Sequence, residues 1–256
     1  MLPVPKKRLG QHFLTDRHYI DRIVAAIAPQ RADHLVEIGP GPGALTTPLA
    51  DKLDHLHVVE LDRELATALR ERHAPSAVSV HESDALVFDF ASLPAPLRVT
   101  GNLPYNVSTP LLFHIASFAD RIVDCTFMLQ KEVVDRMVAE PDSADYGRLS
   151  VMLQYRFQMR RLFLVPPGAF HPPPKVDSAI VRMVPLGADR LGAQDEARFG
   201  AVVQAAFGQR RKMLRNTLKA LVTAEAFDRA GIDSQRRAET LSVAEFVALS
   251  DSAPPG

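Results

Sequence analysis

LVEIGPGPGALT, Leu35 to Thr46, is the stretch that decides the fold. Leu35, Val36 and Ile38 read as a short buried strand, and glycines follow at once at positions 39, 41 and 43. Glycine lets a chain turn tightly after a strand and brings its backbone close to a ligand. The spacing is G-x-G-x-G, not the G-x-G-x-x-G of a dinucleotide fingerprint. Taken alone, such a loop is also what an ordinary strand-to-helix turn looks like.

The layout on either side follows from apolar periodicity. Upstream, Thr15 or Asp16 caps a helix whose Ile20, Ile23, Val24 and Ile27 share one face. Downstream come a helix through Ala50, a strand from His55 to Asp62 and a helix from Glu64 to Arg72. VSVHESDA (Val78 to Ala85), LRVTGNLPY (Leu97 to Tyr105) and CTFMLQ (Cys125 to Gln130) read as strands three to five. Leu149 to Val165 and Ser178 to Leu186 read as strands six and seven, separated by a proline-rich loop. Strands alternating with helices predict an α/β, Rossmann-like, doubly wound sheet of seven mostly parallel strands. Near Leu186 the pattern changes. GADRLGAQ (Gly187 to Gln194) reads as a hinge, and Leu214, Leu218, Leu221 and Val222 fall at helical spacing. The expected division is a sheet domain over 1–186 and a small all-α domain over 187–256.

Composition bounds the class. Hydrophobic residues make up 46% and charged residues 23%, ordinary for a soluble globular chain. No apolar run is long enough to span a membrane, and MLPVPKKRLGQHFL lacks an apolar signal core, so a cytoplasmic location is expected. The single cysteine, Cys125, cannot form an internal disulfide and reads as a buried thiol; no spacing suggests a metal site. The formal net charge is zero but unevenly placed. Tyr146 to Val176 holds no acid but Arg148, Arg156, Arg160, Arg161 and Lys175; Ala197 to Ala224 holds none but Arg198, Arg210, Arg211, Lys212, Arg215 and Lys219. A polyanionic partner and a merely solvated face both account for such runs.

Two carboxylates sharpen the glycine loop. Glu60 ends the second strand, where an acid can accept hydrogen bonds from a ribose diol, and Asp84 ends the third, where it can meet an adenine amino group. Glycine loop and both acids together predict a bound nucleoside. A nicotinamide dinucleotide and S-adenosylmethionine both contain one.

The fourth strand ends in NLPY, Asn102 to Tyr105, similar to the [DNS]-P-P-[YF] motif of amino-methyltransferases. With GQHFL (Gly10 to Leu14), EIGPGPGALT, VVELD, GNLPYNVSTPLL and FHPPPKVDS (Phe170 to Ser178), the chain resembles the ribosomal RNA adenine dimethyltransferase family. The resemblance runs from about Lys7 to Leu186 and on into AFGQRRKMLRNTL (Ala206 to Leu218). It implies a class I methyltransferase using S-adenosylmethionine, and N6,N6-dimethylation of two adjacent adenosines near the 3′ end of small-subunit rRNA. It further implies a partly assembled ribosomal subunit as substrate, during ribosome biogenesis, with a monomer as the default state. It puts His12, Leu14, Gly39, Glu60, Asp84 and Asn102 at the cofactor; many relatives carry Asn where this chain has His12. It puts Asn102, Leu103, Pro104, Tyr105 and Phe170 at the reaction.

The chemistry of NLPY can be read directly. The N6 lone pair of adenine is delocalised into the ring, so N6 is a poor nucleophile. Two fixed acceptors, the Asn102 side-chain oxygen and the Leu103 carbonyl, would favour a pyramidal nitrogen and return the pair to it. Pro104 restricts Leu103 to an extended conformation. Tyr105 offers a ring to stack on, and Phe170, on the strength of the resemblance, the other cover. Each stacking contact is worth roughly 1–3 kcal/mol.

Arg210, Arg211, Lys212, Arg215 and Lys219 are the candidate RNA-binding residues. A helix from Gln209 to Lys219 would place Arg211, Arg215 and Lys219 on one face, with Leu214, Leu218 and Leu221 toward the core. Such contacts position RNA without reading its sequence. Three rivals stay open. One is a large-subunit rRNA adenine methyltransferase, against which the C-terminal domain speaks. Another is a DNA adenine methyltransferase, which would need a distinct DNA-reading domain. The last is a non-catalytic ribosome-assembly or transcription factor on the same fold.

Overall fold

The structure, a computed structural model, describes residues 5–6, 11–104, 107–187, 192–209 and 211–253. It divides into two compact units. The first comprises residues 1–134 and 159–185, and the second 135–158 and 186–256. The second crossing falls within a residue of the boundary expected at Leu186. The segment 135–158, assigned to the sheet domain from sequence, instead packs with the C-terminal helices.

The first unit begins with β1 (Phe13–Leu14) and α1 (Arg17–Ile27). Asp16 caps α1 by accepting from the His18 and Tyr19 N–H groups. The helix buries Ile20, Ile23, Val24 and Ile27, the expected apolar face. Then come β2 (His34–Ile38), α2 (Thr46–Ala50), β3 (Leu56–Glu60), α3 (Arg63–Arg72), β4 (Val78–Glu82) and β5 (Leu97–Asn102). They are followed by α4 (Ser108–Ala116), β6 (Ile122–Gln130) and α5 (Lys131–Met137). After α6 (Arg148–Gln154), the chain returns to the sheet with β7 (Phe157–Val165) and β9 (Ser178–Pro185); between them β8 (Phe170–His171) pairs with β1 in a separate two-stranded sheet.

Seven strands form one sheet in the order β4-β3-β2-β5-β6-β9-β7. β4 through β6 pair in parallel and β9 antiparallel to β6, as a mostly parallel sheet requires. From β2 the chain moves outward to β3 and β4 on one side, then restarts at β5 on the other. That reversal is the switch point at which such sheets bind ligands, at the carboxyl ends of the strands.

Two features hold β5 in register beside β2. Gly101 lies opposite Ile38, and a Cβ there would come within 2.3 Å of the Ile38 carbonyl oxygen, so no larger residue fits. At the other end of the strand, Arg98 donates to Asp124 of β6 at 2.8 and 3.0 Å and to Asp33 at 2.6 Å. It also donates to the Ile27 and Ala28 carbonyls, left over where α1 ends in a left-handed turn at Ala28. One guanidinium thus ties α1, the β2 approach, β5 and β6 together.

The sequence reading fails between Leu149 and Gln154, where the expected strand is α6. Leu149, Val151 and Leu153 alternate like a strand, but Ser150 is buried too, so the alternation marks no sheet face. Ser150 satisfies itself by accepting from the Gly147 N–H and donating to the Arg136 carbonyl.

The second unit has its own core of Tyr146, Val151, Tyr155, Phe199, Val203, Leu214, Leu218, Phe246 and neighbours. Its later helices are α7 (Glu196–Ala206), α8 (Leu214–Thr217), α9 (Ala224–Ala230) and α10 (Val243–Ser252). The long helix expected from Gln209 to Lys219 is absent. Met213 is extended and bridges to Arg237, and the Leu214 N–H donates to Arg236. That pairing restricts α8 to one turn. Leu214 and Leu218 are buried as expected, whereas Leu221 is 39% exposed. No helix among the described residues is long and apolar enough to cross a membrane.

Asp124 is 3% exposed and faces both Arg98 and Arg182. Removing one partner of a buried ion pair strands the other, at a cost of about 3–5 kcal/mol. Asp124→Ala is therefore expected to lower unfolding free energy by that amount in urea melts. A loss of less than about 1 kcal/mol, the range of exposed pairs, would show that the network carries little stability.

Candidate active site

β2 delivers its glycine loop directly over the ends of β3 and β5. The Gly39 N–H donates to the Val59 carbonyl at 2.9 Å, which turns the loop back across β3. Gly41 has φ +57°, a left-handed conformation that side chains rarely adopt, and its open face lies against the Phe13 ring. The Gly41 N–H donates to Glu60 Oε2 at 3.0 Å, and the Asp62 N–H donates to Oε1 at 2.8 Å. Glu60 thus fastens the glycine loop from the end of β3. Its carboxyl is raised above the ordinary value by burial, which these N–H donors only partly offset.

Beneath the loop lies an acid that the sequence reading did not single out. Glu37 is 2% exposed and accepts from Thr46 Oγ1 at 2.7 Å. Burial pushes its pKa up to about 8, against the Thr46 hydrogen bond and with a smaller contribution from Glu60. An acidic residue just before a glycine loop was its only sequence signal.

Past β4, Asp84 accepts from the Leu86 N–H at 2.9 Å, which sets its carboxyl at the cavity wall two residues beyond the strand. At the end of β5, Asn102 Nδ2 donates to the His12 carbonyl at 3.1 Å. With the amide nitrogen committed, the Asn102 oxygen is turned the other way. The Leu103 N–H is fixed by the Met128 carbonyl at 3.1 Å, which seats the turn on β6.

These elements enclose one cavity of about 1180 Å³, counting its open mouth. His12, Leu14, Gly39, Glu60, Asp84, Asn102, Leu103 and Pro104 all line it, so the structure gathers residues spread over 93 positions. Its other walls are largely apolar, and Leu61, 53% exposed, offers a flat surface beside Glu60. Three carboxyl groups and no Lys or Arg line it among the described residues. A pyrophosphate would find no cationic side chain there, whereas a sulfonium cation meets the Glu60 and Asp84 carboxyl groups and no Lys or Arg to repel it. At Gly39 a Cβ would sit 3.7 Å from the Asn102 carbonyl oxygen, inside the space between loop and turn. The donor set and the space fit S-adenosylmethionine.

One described site residue does not line the cavity. Phe170 is 4% exposed, packs with Leu14, Met128 and Val165 in the core, and does not line the cavity. β8 pairs antiparallel with β1, placing Phe170 opposite Leu14, so the aromatic packs where the N-terminal segment meets the core. Tyr105 lies outside the described residues. The basic cluster stands in the second unit: Arg211, Lys212, Arg215 and Lys219 are exposed, in a turn, on α8 and just beyond it. They do not share the single helix face that was expected, and Arg210 lies outside the described residues. No group of three or more His, Cys, Asp or Glu among the described residues is placed to hold a metal ion.

Glu37 predicts a pH effect. Its carboxyl binds a proton in the folded protein up to about 8, but only to about 4.5 when unfolded. The folded state therefore holds more protons between those values, and stability falls as pH rises through that window. Glu37→Gln is expected to remove this slope, so that its melting temperature gains on the parent from pH 5 to pH 9. Parallel curves for the two proteins would mean that Glu37 is ionised in the fold.

The comparisons with known proteins agree with this geometry. The family described as Ribosomal RNA adenine dimethylase matches residues 5–253. A protein of Aromatoleum aromaticum named Ribosomal RNA small subunit methyltransferase A is 61% identical, covering 96% of this chain and 93% of its own. Its namesake in Nitrosospira multiformis is 56% identical, covering 98% and 97%. Among solved structures, a dimethyladenosine transferase from Plasmodium falciparum superposes with a TM-score of 0.81 at 23% identity, covering 93% and 96%. The 23S rRNA methyltransferase ErmE superposes at 0.70 with 28% identity, covering 94% and 98%. Because ErmE matches nearly the whole chain, the C-terminal region does not separate the two kinds of enzyme, contrary to the sequence argument. Identity does. With almost its full length matched and over half its residues shared with such relatives, this chain belongs to the ribosomal RNA adenine dimethylase family.

Proposed function

We propose that the protein transfers methyl groups from S-adenosylmethionine to N6 of two adjacent adenosines near the 3′ end of small-subunit rRNA. The observation that carries this is the cavity: three carboxyl groups and no Lys or Arg at the cofactor, opening onto the Asn102-Leu103-Pro104 turn. The small-subunit target is supported by relatives of 53–61% identity that bear that name, against 28% for the large-subunit enzyme.

The bound cofactor supplies an electrophilic methyl on sulfur, so no metal is needed to activate it. The chain's contribution is to position and to stabilise. Glu60 and Asp84 hold the nucleoside by its ribose and adenine edges. Glu37, neutral under its glycine loop, leaves the floor uncharged. The Asn102 side-chain oxygen, aimed by the bond from Nδ2 to His12, and the Leu103 carbonyl accept the two N6 hydrogens of the target adenine. As the N6–methyl bond forms the methyl–sulfur bond breaks, the pair going to sulfur to leave a neutral thioether; positive charge grows on N6, these acceptors stabilise it without reorganising, and N6 then loses one proton to solvent. After one transfer the same site accepts an N6 already bearing a methyl. The target base leaves its stack to reach the pocket, and Tyr105 supplies a ring for it.

Arg210, Arg211, Lys212, Arg215 and Lys219 contact RNA phosphates and leave recognition to RNA shape. The substrate is a partly assembled small subunit in the cytoplasm, and the enzyme acts as a monomer.

The test is transfer of labelled methyl to small-subunit particles lacking the modification, with the labelled base mapped. Large-subunit RNA and duplex DNA run beside them. Label on N6 of adjacent small-subunit adenosines is expected, with kcat about 10²–10³-fold lower in Asn102→Ala, the size of loss seen when one preorganised polar group is removed. Label on large-subunit RNA or DNA alone would reassign the substrate. Particle binding with no label anywhere would favour an assembly factor.

A further inference from the structure

The outer wall of the cofactor cavity is not part of the sheet. Gln11, His12, Phe13 and Leu14 run across it as a segment entering from the N-terminus. One end is held by backbone: β1 pairs with β8, and the Thr15 and Asp16 N–H groups both donate to the Ala169 carbonyl, at 2.9 and 3.2 Å. The other end is held by side chains around Asp62. Lys6 Nζ donates to Asp62 Oδ1 at 2.8 Å and reaches Glu64 Oε2 at 3.1 Å. Gln11 Nε2 donates to Asp62 Oδ2 at 3.2 Å, while Gln11 Oε1 accepts from the Lys6 N–H at 2.7 Å.

Asp62 is the residue that makes this more than a surface tie. Its side chain is 3% exposed, against 30% for Lys6, so one partner is fixed in the fold and the other faces solvent. It also accepts from the Glu64 N–H, capping α3, and through its own N–H it holds Glu60 Oε1. The acid that receives the ribose and the acid that receives the N-terminal segment are joined by one hydrogen bond. The segment in turn supplies, through the His12 carbonyl, the bond that orients Asn102.

We propose that Lys6, Gln11 and Asp62 are positioning residues that latch the N-terminal segment across the cofactor, and that opening this latch limits cofactor release. The β1–β8 end acts as the hinge and the Asp62 end as the catch. Cofactor on Glu60 steadies Asp62, which steadies the catch, so a filled site closes itself. Lys6 does not line the cavity, so its effect on the cofactor is wholly through this wall.

The experiment measures S-adenosylmethionine dissociation by stopped flow in the full chain, beside Kd, kcat and the melting temperature without cofactor. The parent is measured first, so a failure to bind S-adenosylmethionine is seen separately. In Lys6→Ala dissociation is expected to be about tenfold faster and Kd about tenfold weaker, the scale of one lost charge-assisted hydrogen bond. The cofactor-free melting temperature does not move. Asp62→Asn keeps a capping side chain for α3 but loses the charge, and is expected to follow Lys6→Ala. Added salt should speed dissociation from the parent and not from Lys6→Ala. Unchanged dissociation in Lys6→Ala overturns the proposal, as does faster dissociation matched by a fall in cofactor-free melting temperature, which would make the cluster a fold-stabilising tie.

Discussion

The site depends on one buried carboxylate bridging two backbone N–H groups. Glu60 sits at the end of β3, and its two oxygens draw in Gly41 from the preceding loop and Asp62 from the following one. Glycines bring no side chains of their own to pack, so the loop is held over the sheet by this bridge, by the Gly39 N–H bond to Val59 and by the Arg72 bond to the Pro42 carbonyl. Each Glu60 oxygen already has a donor, which offsets part of the cost of burying it. Loop, Glu60 and α3 cap therefore form one preorganised unit.

How much of this was legible depended on how local the cause was. The β2–loop–α2 stretch was legible because hydrophobic run, glycines and acid follow one another within twelve residues. Glu60 and Asp84 were legible because strand ends are read from the same periodicity. Gly101 was not, since the reason for it is the carbonyl of Ile38 on a neighbouring strand. Arg98 and Asp124 were likewise invisible: they lie 26 positions apart and meet only once β5 and β6 pair. A two-residue strand such as β1 carries no periodicity at all, although it builds the cavity's outer wall.

The errors share a cause as well. Leu149 to Gln154 looked like a strand because its apolar residues alternate, yet a helix buried on most sides can alternate too. The basic run after Gln209 looked like a single helix because its leucines are spaced for one. Backbone pairing with residues 234–237 took Met213 out of helical geometry. In both places distant partners overrode local preference.

The second unit is built from two separated pieces of chain, and this bears on how the protein is made. Its core joins Tyr146, Val151 and Tyr155 from the middle of the sequence to Phe199, Leu214 and Phe246 from the last quarter. During synthesis the middle piece emerges with its apolar side bare and waits for some forty more residues before α7 can cover it. The sheet meanwhile receives β7 and β9 and can close around its own core. A chain cut after β9 would keep the cofactor cavity and still carry an uncovered hydrophobic flap. The C-terminal helices are thus an obligatory cover for a sequence insertion, and evolution could not add or shed them as a module without rewriting residues 135–158.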